Sequence, residues 1–150
     1  MLELSEILVP VDFSAASRET FARAQSFVGG EGASIILLHV IDPALVDAAS
    51  SSGLGTRTEV AARLRERADR ELAQMAESAG GIEVVPVVAE GTPFYEIARH
   101  AAEFAVDAVL IAKTGRRDAR EDLFFGSTAE KVVRACRQPV IVLTSAEAEA

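Results

Sequence analysis

Short apolar runs alternate along the chain with longer stretches in which apolar residues recur every three or four positions. The runs predict strands that are covered on both faces, because such strands are apolar almost throughout instead of alternating with polar residues. They lie at residues 7–11, 34–40, 82–89, 107–112 and 139–143.

The stretches between the runs predict helices. Apolar residues at helical spacing indicate one helix from after Ser14 to about Phe27 and a long one between 57 and 79. Thr92 and Pro93 are typical of a helix start, with Thr as the cap and Pro in the first position. The last helix is predicted to open at Ser127. The residues expected to face inward on the last two helices are Phe94, Ile97, Ala98 and Ala101, then Ala129, Val132, Val133 and Cys136.

Two segments lack either pattern. Residues 43–57 are small, polar and rich in Gly and Ser, which predicts a mobile loop. Residues 145–150 are predicted to form a frayed acidic tail.

The order of the elements indicates a fold of the α/β class. Strands that alternate with helices form a parallel sheet with helices on both faces. Pro86 interrupts the third strand, and because proline cannot donate to a strand ladder, that strand belongs at a sheet edge. The predicted strand order is therefore 3-2-1-4-5. Ligands of such sheets bind beyond the carboxyl ends of the strands, where the order reverses between strands 1 and 4.

Composition narrows the function classes. At 150 residues the chain fits one domain, and its net charge of −8 disfavours a nucleic-acid-binding surface, which needs clustered Lys and Arg. With Cys136 as its single cysteine it forms no intrachain disulfide. It shows neither a signal peptide nor an apolar stretch near the roughly 20 residues of a membrane span. We expect a cytoplasmic protein without a membrane or nucleic-acid partner.

Residues Gly126-Ser127-Thr128 give the sharpest local signal for a binding site. Ser127 with Glu130 three residues later has the pattern of a capping box, which by itself indicates only a well-capped helix. A helix start also presents free N–H groups and the positive end of its dipole to an anion such as phosphate. The two interpretations are compatible.

Charged residues follow strands 1 and 4. Asp12 either accepts hydrogen bonds from a ligand's hydroxyl or amine groups, or satisfies the amides of its own loop. The basic residues of 113–120 either face phosphate at one position or form a solvated loop paired with nearby carboxylates. Both alternatives stay open.

The sequence offers no assembled catalytic or metal centre. It contains no P-loop and no G-x-G-x-x-G motif. We expect His39 to be a satisfied, partly buried strand residue, His100 to lie on the polar side of its helix, and Cys136 to pack in the core. We therefore predict no metal site and no nucleophile–base pair.

Several segments together resemble the universal stress protein family, in order and over nearly the whole chain. They are residues 7–14 (ILVPVDFS), 37–42 (LLHVID), 90–93 (EGTP), 125–132 (FGSTAEKV) and 137–142 (RQPVIV). The resemblance implies a flavodoxin-like or Rossmann-like three-layer domain. It also implies a homodimer that pairs through the last strand, Val140 to Leu143.

The family contains ATP-binding members, whose region after strand 4 follows G-x2-G-x9-G-[ST]. The resemblance assigns the phosphate contacts to Gly126 and Ser127, the second motif glycine to Gly115, and nucleoside contacts to Asp12 and the backbone of Val40. The full set of ligand-binding candidates is Pro10, Val11, Asp12, Val40, Ile111, Ala112, Lys113, Gly115, Arg116, Gly126, Ser127 and Thr128.

Two departures from that motif bear on the ligand. Ala112 stands at the first glycine position, and the second spacer has ten residues in place of nine. Three hypotheses follow. The leading one is a stress-response protein that binds ATP or a related adenine nucleotide as a regulatory ligand, with Mg²⁺ arriving only with the nucleotide and with little or no turnover. The second is a homodimeric interaction module of the same fold that binds no nucleotide, and the third is a slow nucleotide hydrolase.

Overall fold

A computed structural model describes residues 3–113 and 126–144 of the chain. In the described part, five strands alternate with helices along the chain. The strands are β1 (Glu6–Pro10), β2 (Ser34–Ile41), β3 (Glu83–Glu90), β4 (Ala108–Ala112) and β5 (Val140–Leu143). The helices are α1 (Ala15–Ala24), which continues as a 3-10 turn over Gln25–Phe27, α2 (Pro43–Ser51), α3 (Arg57–Glu77), α4 (Pro93–Glu103) and α5 (Ser127–Ala135).

The strands form one parallel sheet in the order β3-β2-β1-β4-β5, which confirms the predicted class and strand order. Pro86 lies opposite Leu37 in β3. Because β3 is an edge strand, the missing N–H of Pro86 interrupts no hydrogen bond between inner strands. Pairing between β1 and β4 covers only Ile7 with Ala108 and Leu8 with Val109. The carboxyl ends of these two strands are therefore not joined, and the sheet leaves room there for a ligand.

Successive strand residues point to opposite faces of the sheet, and helices cover both faces. Each fully buried Leu or Ile side chain stabilises the fold by about 1.5–3 kcal/mol. On one face, the core that includes α1 and α3 contains Ile7, Val9, Phe21, Ile35, Leu37 and Leu72. On the other face, the core that includes α4 and α5 contains Leu8, Ile36, Leu38, Ile97, Val109 and Val132.

The predicted loop at 43–57 is wrong for most of its length, because residues Pro43–Ser51 form α2. Asp42 caps this helix by accepting a hydrogen bond from the Ala44 N–H at 2.9 Å, and Pro43 occupies the first helical position. Val46 is 4% exposed and packs with Ile41 and Val60. The Gly/Ser composition describes only the turn after the helix. The predicted tail at 145–150 lies outside the described residues.

Two expectations about helix faces are also wrong. His100 is buried and does not lie on the polar side of its helix. Burial is tolerated because its Nδ1 lies 2.7 Å from the carbonyl oxygen of Glu96 and its ring stacks on Phe104. Val133 on α5 is 44% exposed and does not face the core. Cys136 is half-buried against the α4/α5 core, as expected, and burial raises the pKa of its thiol.

Candidate functional site

A cavity of about 150 Å³ opens at the carboxyl ends of β1, β2 and β4, beside the point where the strand order reverses. The surrounding segments are the end of β1, the end of β2, the end of β4 and the first turns of α1, α4 and α5. The lining residues are Pro10, Val11, Asp12, Ser17, Leu38, His39, Val40, Pro93, Ile97, Ile111, Ala112 and Thr128.

The sequence-predicted candidates divide into three groups. Seven of them line this cavity: Pro10, Val11, Asp12, Val40, Ile111, Ala112 and Thr128. Lys113, Gly126 and Ser127 are described but are not among the lining residues. Gly115 and Arg116 lie outside the described residues, together with the rest of the basic segment after Thr114.

Asp12 is held by its own loop at the cavity wall. Its Oδ1 accepts a hydrogen bond from the Ser14 N–H at 3.0 Å, and its backbone N–H donates to Ser17 Oγ at 3.3 Å. Burial raises the pKa of the Asp12 carboxyl, but hydrogen bonds with Ser14 and Ser17 outweigh that effect and bring it below its usual value. The carboxylate is therefore ionised at neutral pH. Because it offers about four lone-pair positions, the bond from Ser14 leaves capacity for a ligand donor.

His39, near the end of β2, forms part of the same wall. Its Nδ1 lies 2.8 Å from the carbonyl oxygen of Val11. A carbonyl only accepts, so Nδ1 carries the proton and donates it. Burial lowers the pKa of His39, which favours the neutral ring at pH 7, although the bond to Val11 opposes the shift. The expectation of a satisfied, partly buried histidine is confirmed.

The start of α5 differs from the predicted capping box. Gly126, and not Ser127, is the N-cap residue, and no side chain among the described residues caps the helix. The Gly126 N–H donates to the Lys113 carbonyl oxygen at 2.8 Å, which joins the ends of the two described segments. Ser127 therefore lies one position inside the helix, where its hydroxyl is exposed. The first N–H groups of α5 have no acceptor within the helix, so they remain suited to an anion.

The cavity wall also contains residues that the sequence did not mark as ligand-binding candidates. They are Ser17, Leu38, His39, Pro93 and Ile97. Pro93 and Ile97 lie four positions apart at the start of α4, so they occupy the same helix face. The sequence predicted the helix start at Thr92-Pro93 and an inward-facing Ile97, which indicates the element and its buried face but not its position relative to β1.

The arrangement suits a ligand with an apolar flat part and polar donors. Apolar side chains, the half-buried Val40, the carboxylate residue Asp12 and Thr128 of the α5 start all line the cavity. Small-molecule pockets usually measure roughly 300–1,000 Å³, so the described walls enclose part of such a ligand. No group of three His, Cys, Asp or Glu side chains in residues 3–113 and 126–144 could hold a metal ion. None of the helices in this part of the chain has the length and apolarity required to cross a membrane.

Comparison with known proteins gives a consistent result. The family model of the universal stress protein family matches residues 4–144. Universal stress protein MJ0577 from Methanocaldococcus jannaschii is 25% identical over 92% of this chain and 93% of its own length. The solved structure of MJ0577 superposes with a TM-score of 0.82 at 26% identity, covering 95% of this chain and 96% of that chain.

Two more distant structures share the fold and are described with a bound nucleotide. A universal stress protein in complex with cAMP has a TM-score of 0.64 at 19% identity, covering 95% of this chain and 98% of its own. A family member from Arabidopsis thaliana with AMP bound has a TM-score of 0.56 at 14% identity, covering 95% of this chain and 94% of its own.

Proposed function

The chain belongs to the universal stress protein family, and on that basis we propose that it binds ATP or a related adenine nucleotide as a regulatory ligand, with little or no turnover. The observation that carries the proposal is the pairing, around one cavity, of the ionised Asp12 carboxylate with Thr128 in the first turn of α5. A nucleotide needs an acceptor for its sugar hydroxyls or base amine, and donors for its phosphates. The cAMP and AMP complexes of related folds support the adenine class.

The division of the cavity wall supports an orientation for that ligand. Apolar side chains of Pro93, Ile97 and Ile111 suit the faces of a base, and Val40 lines the same cavity. The α5 start suits phosphate oxygens, because its first N–H groups have no acceptor within the helix and its dipole favours negative charge. Mg²⁺ would arrive on the nucleotide, which supplies the oxygen ligands that this ion prefers.

Low turnover is supported by the weak basicity of the described titratable side chains at the cavity. Burial lowers the pKa of His39, the histidine that lines the cavity, and His100 is not among the lining residues. Asp12 is a weak base, because its pKa lies below the usual value. A general base works best with a pKa near the operating pH.

Calorimetry on nucleotide-stripped protein tests the proposal, with ATP, ADP, AMP and cAMP as ligands and inorganic triphosphate as the control for phosphate alone. We expect saturable binding of at least one adenine nucleotide with a Kd below about 1 mM, which corresponds to roughly −4 kcal/mol. No binding heat from any of them at about millimolar ligand would overturn it. Phosphate release that an Asp12→Ala, Ser127→Ala double substitution abolishes would instead indicate a hydrolase, whereas unchanged release would indicate a contaminant.

The second candidate is an interaction module that binds no nucleotide. Ala112 favours it, because its methyl group lies in the cavity wall where the ATP-binding motif has glycine. This module would have the same melting temperature with and without ATP. A ligand that binds only the native state must raise the melting temperature, so a clear rise with ATP would exclude this candidate.

We propose in addition that the chain forms a homodimer through β5. Among the described strands β5 pairs only with β4, and Val140, Ile141 and Val142 are half-buried. An edge strand of this apolar character is usually covered, because its open N–H and carbonyl groups attract another chain. Light scattering should give the mass of a dimer at about 100 μM protein. A monomer mass at that concentration would refute the dimer.

A further inference from the structure

The loop that carries Asp12, residues 11–14, contains an unusual backbone conformation. Phe13 has φ = 67°, in the left-handed region, within the segment that joins β1 to α1. A bulky residue avoids this region because its Cβ crowds the neighbouring carbonyl, and such strain persists only where surrounding contacts hold it. We call residues 11–14 the Asp12 loop.

Two contacts to β2 hold this loop from one side. The Phe13 ring stacks on the His39 ring with 4.4 Å between centroids and 26° between planes. The same imidazole donates from Nδ1 to the Val11 carbonyl at 2.8 Å. His39 therefore contacts the residues immediately before and after Asp12, one through its nitrogen and one through its ring face.

Contacts to the helices hold the loop from the other side. Arg18 Nε donates to the Phe13 carbonyl at 3.2 Å, and its guanidinium lies 5.7 Å from the Phe13 ring centroid. Glu71 on α3 forms ion pairs with Arg18 at 2.8 Å and with Arg67 at 3.3 Å. The Arg67 guanidinium lies 6.0 Å from the Phe13 ring centroid. The ring is thus enclosed by β2, α1 and α3.

We propose that Phe13 and His39 are positioning residues that fix the direction of the Asp12 carboxylate at the ligand cavity. The proposal rests on the proposed function for its ligand, but it assigns a role to two residues whose rings stack on each other next to the Asp12 loop backbone. The ring stack holds the left-handed turn at Phe13, and that turn places the Ser14 N–H where it bonds Asp12 Oδ1. A donor group of the ligand then meets an Asp12 carboxylate that is already in place. Binding therefore avoids the loss of affinity that comes from ordering a free side chain.

The alternative role for Phe13 is core packing alone, since it also contacts the apolar cluster under α1 and α3. Phe27 offers a matched control, because it is another partly buried phenylalanine against the same cluster and does not belong to the Asp12 loop. Phe13→Ala and Phe27→Ala both remove an aromatic ring from this cluster. Only the first removes the stack on His39.

The decisive measurement is the pKa of the Asp12 carboxyl in nucleotide-free protein, followed by NMR at the side-chain carbon. In the wild type and in Phe27→Ala we expect a pKa below the usual 3.8. In Phe13→Ala and His39→Ala we expect it to rise towards that value, because the Ser14 bond is weakened. His39→Asn, which keeps a donor for Val11 but lacks the ring, should give an intermediate shift.

Calorimetry with ATP gives the functional result. Phe13→Ala should weaken ATP binding about 10-fold, the equivalent of roughly one positioned hydrogen bond, and Phe27→Ala should leave the Kd within about 2-fold of wild type. A folded Phe13→Ala protein with the wild-type Asp12 pKa would overturn the proposal, and so would an equal shift in Phe27→Ala. If the wild type binds none of ATP, ADP, AMP and cAMP, the proposed function fails, whereas the pKa series still decides the positioning role.

Discussion

The two polar walls of the cavity are built differently. The Asp12 loop is held by His39, Arg18 and Ser17, and its carboxylate already accepts a bond from Ser14. The start of α5 has a glycine cap, no side-chain cap among the described residues, and N–H groups that its own helix leaves unused. The first, which we call the rigid wall, is held by bonds among the described residues, whereas the second, which we call the open wall, has N–H donors that find no acceptor within their own helix. In the proposed complex, the nucleoside end of the nucleotide would meet the rigid wall and its phosphates the open wall.

The largest expected effect comes from removing the charge on the rigid wall. Asp12→Asn keeps an oxygen for the Ser14 N–H but loses the negative charge. Hydrogen bonds to charged groups contribute about 1.5–3 kcal/mol, so ATP affinity should fall roughly 10–100-fold in calorimetry. Asp69→Asn, at an exposed position on α3, is the control and should bind like the wild type. Equal ATP affinity in both variants would show that the Asp12 carboxylate does not contribute to binding.

A smaller change should come from the wall between the two polar regions. Ala112→Gly removes one methyl group from the cavity lining. If that methyl group crowds the ligand, ATP affinity should rise about 3–5-fold, comparable to the ~0.8 kcal/mol of one methylene. The free energy of unfolding should fall by roughly 0.5–1 kcal/mol, because glycine in a strand costs conformational entropy. Unchanged affinity would show that Ala112 does not limit the cavity.

The rigid wall should also respond to pH through His39. Burial lowers the pKa of folded His39 below 6.5, so the unfolded chain binds a proton first as the pH falls. As the pH falls, this histidine therefore lowers the free energy of unfolding between pH 6.5 and its pKa in the folded state. Below that folded-state pKa it causes no further loss. Urea unfolding at pH 7.5 and 5.5 should show a smaller pH-dependent loss in His39→Asn than in the wild type. An identical loss in both proteins would contradict the shifted pKa.

The smallest effect is expected at the open wall. Because Ser127 does not cap α5, Ser127→Ala should change the free energy of unfolding by less than about 0.5 kcal/mol. Thr56 is the matched comparison, since its hydroxyl caps α3 by accepting from the Glu59 N–H at 3.1 Å. Thr56→Ala should cost about 1 kcal/mol. Chemical denaturation measures the free energy of unfolding of both variants. An equal loss in Ser127→Ala and Thr56→Ala would show that Ser127 does cap α5.

The fold was predictable because its signals are local. The apolar runs marked all five strands, and Pro86 alone was enough to place the third strand at the edge. The same local composition misled at 43–57, where Ser and Gly residues after Ser51 concealed the α2 segment that Asp42 caps. The burial of His100 was predicted wrongly for a related reason. A polar residue on a helix is expected on the exposed face, and the sequence does not show that the Glu96 carbonyl forms a hydrogen bond with this ring in the interior.

The site was predictable only in part. Asp12 and Thr128 could be found from the sequence, because the strand order brings the end of β1 and the start of α5 to the same edge of the sheet. Pro93 and Ile97 could not, since no local pattern states which helix turn borders the crevice. The contact between Phe13 and His39 joins residues on two different strand ends and has no signature along the chain.

The sequence by itself determined the strand order, every described helix except α2, the edge position of β3 and the family, because hydrophobic period, proline and short motifs act over a few neighbouring residues. The tertiary structure decided which side chains share the cavity wall, that Gly126 and not Ser127 caps α5, and that Phe13 is held in a left-handed turn. These features depend on contacts between residues far apart in the chain, and such contacts exist only once the sheet has brought the strand ends together.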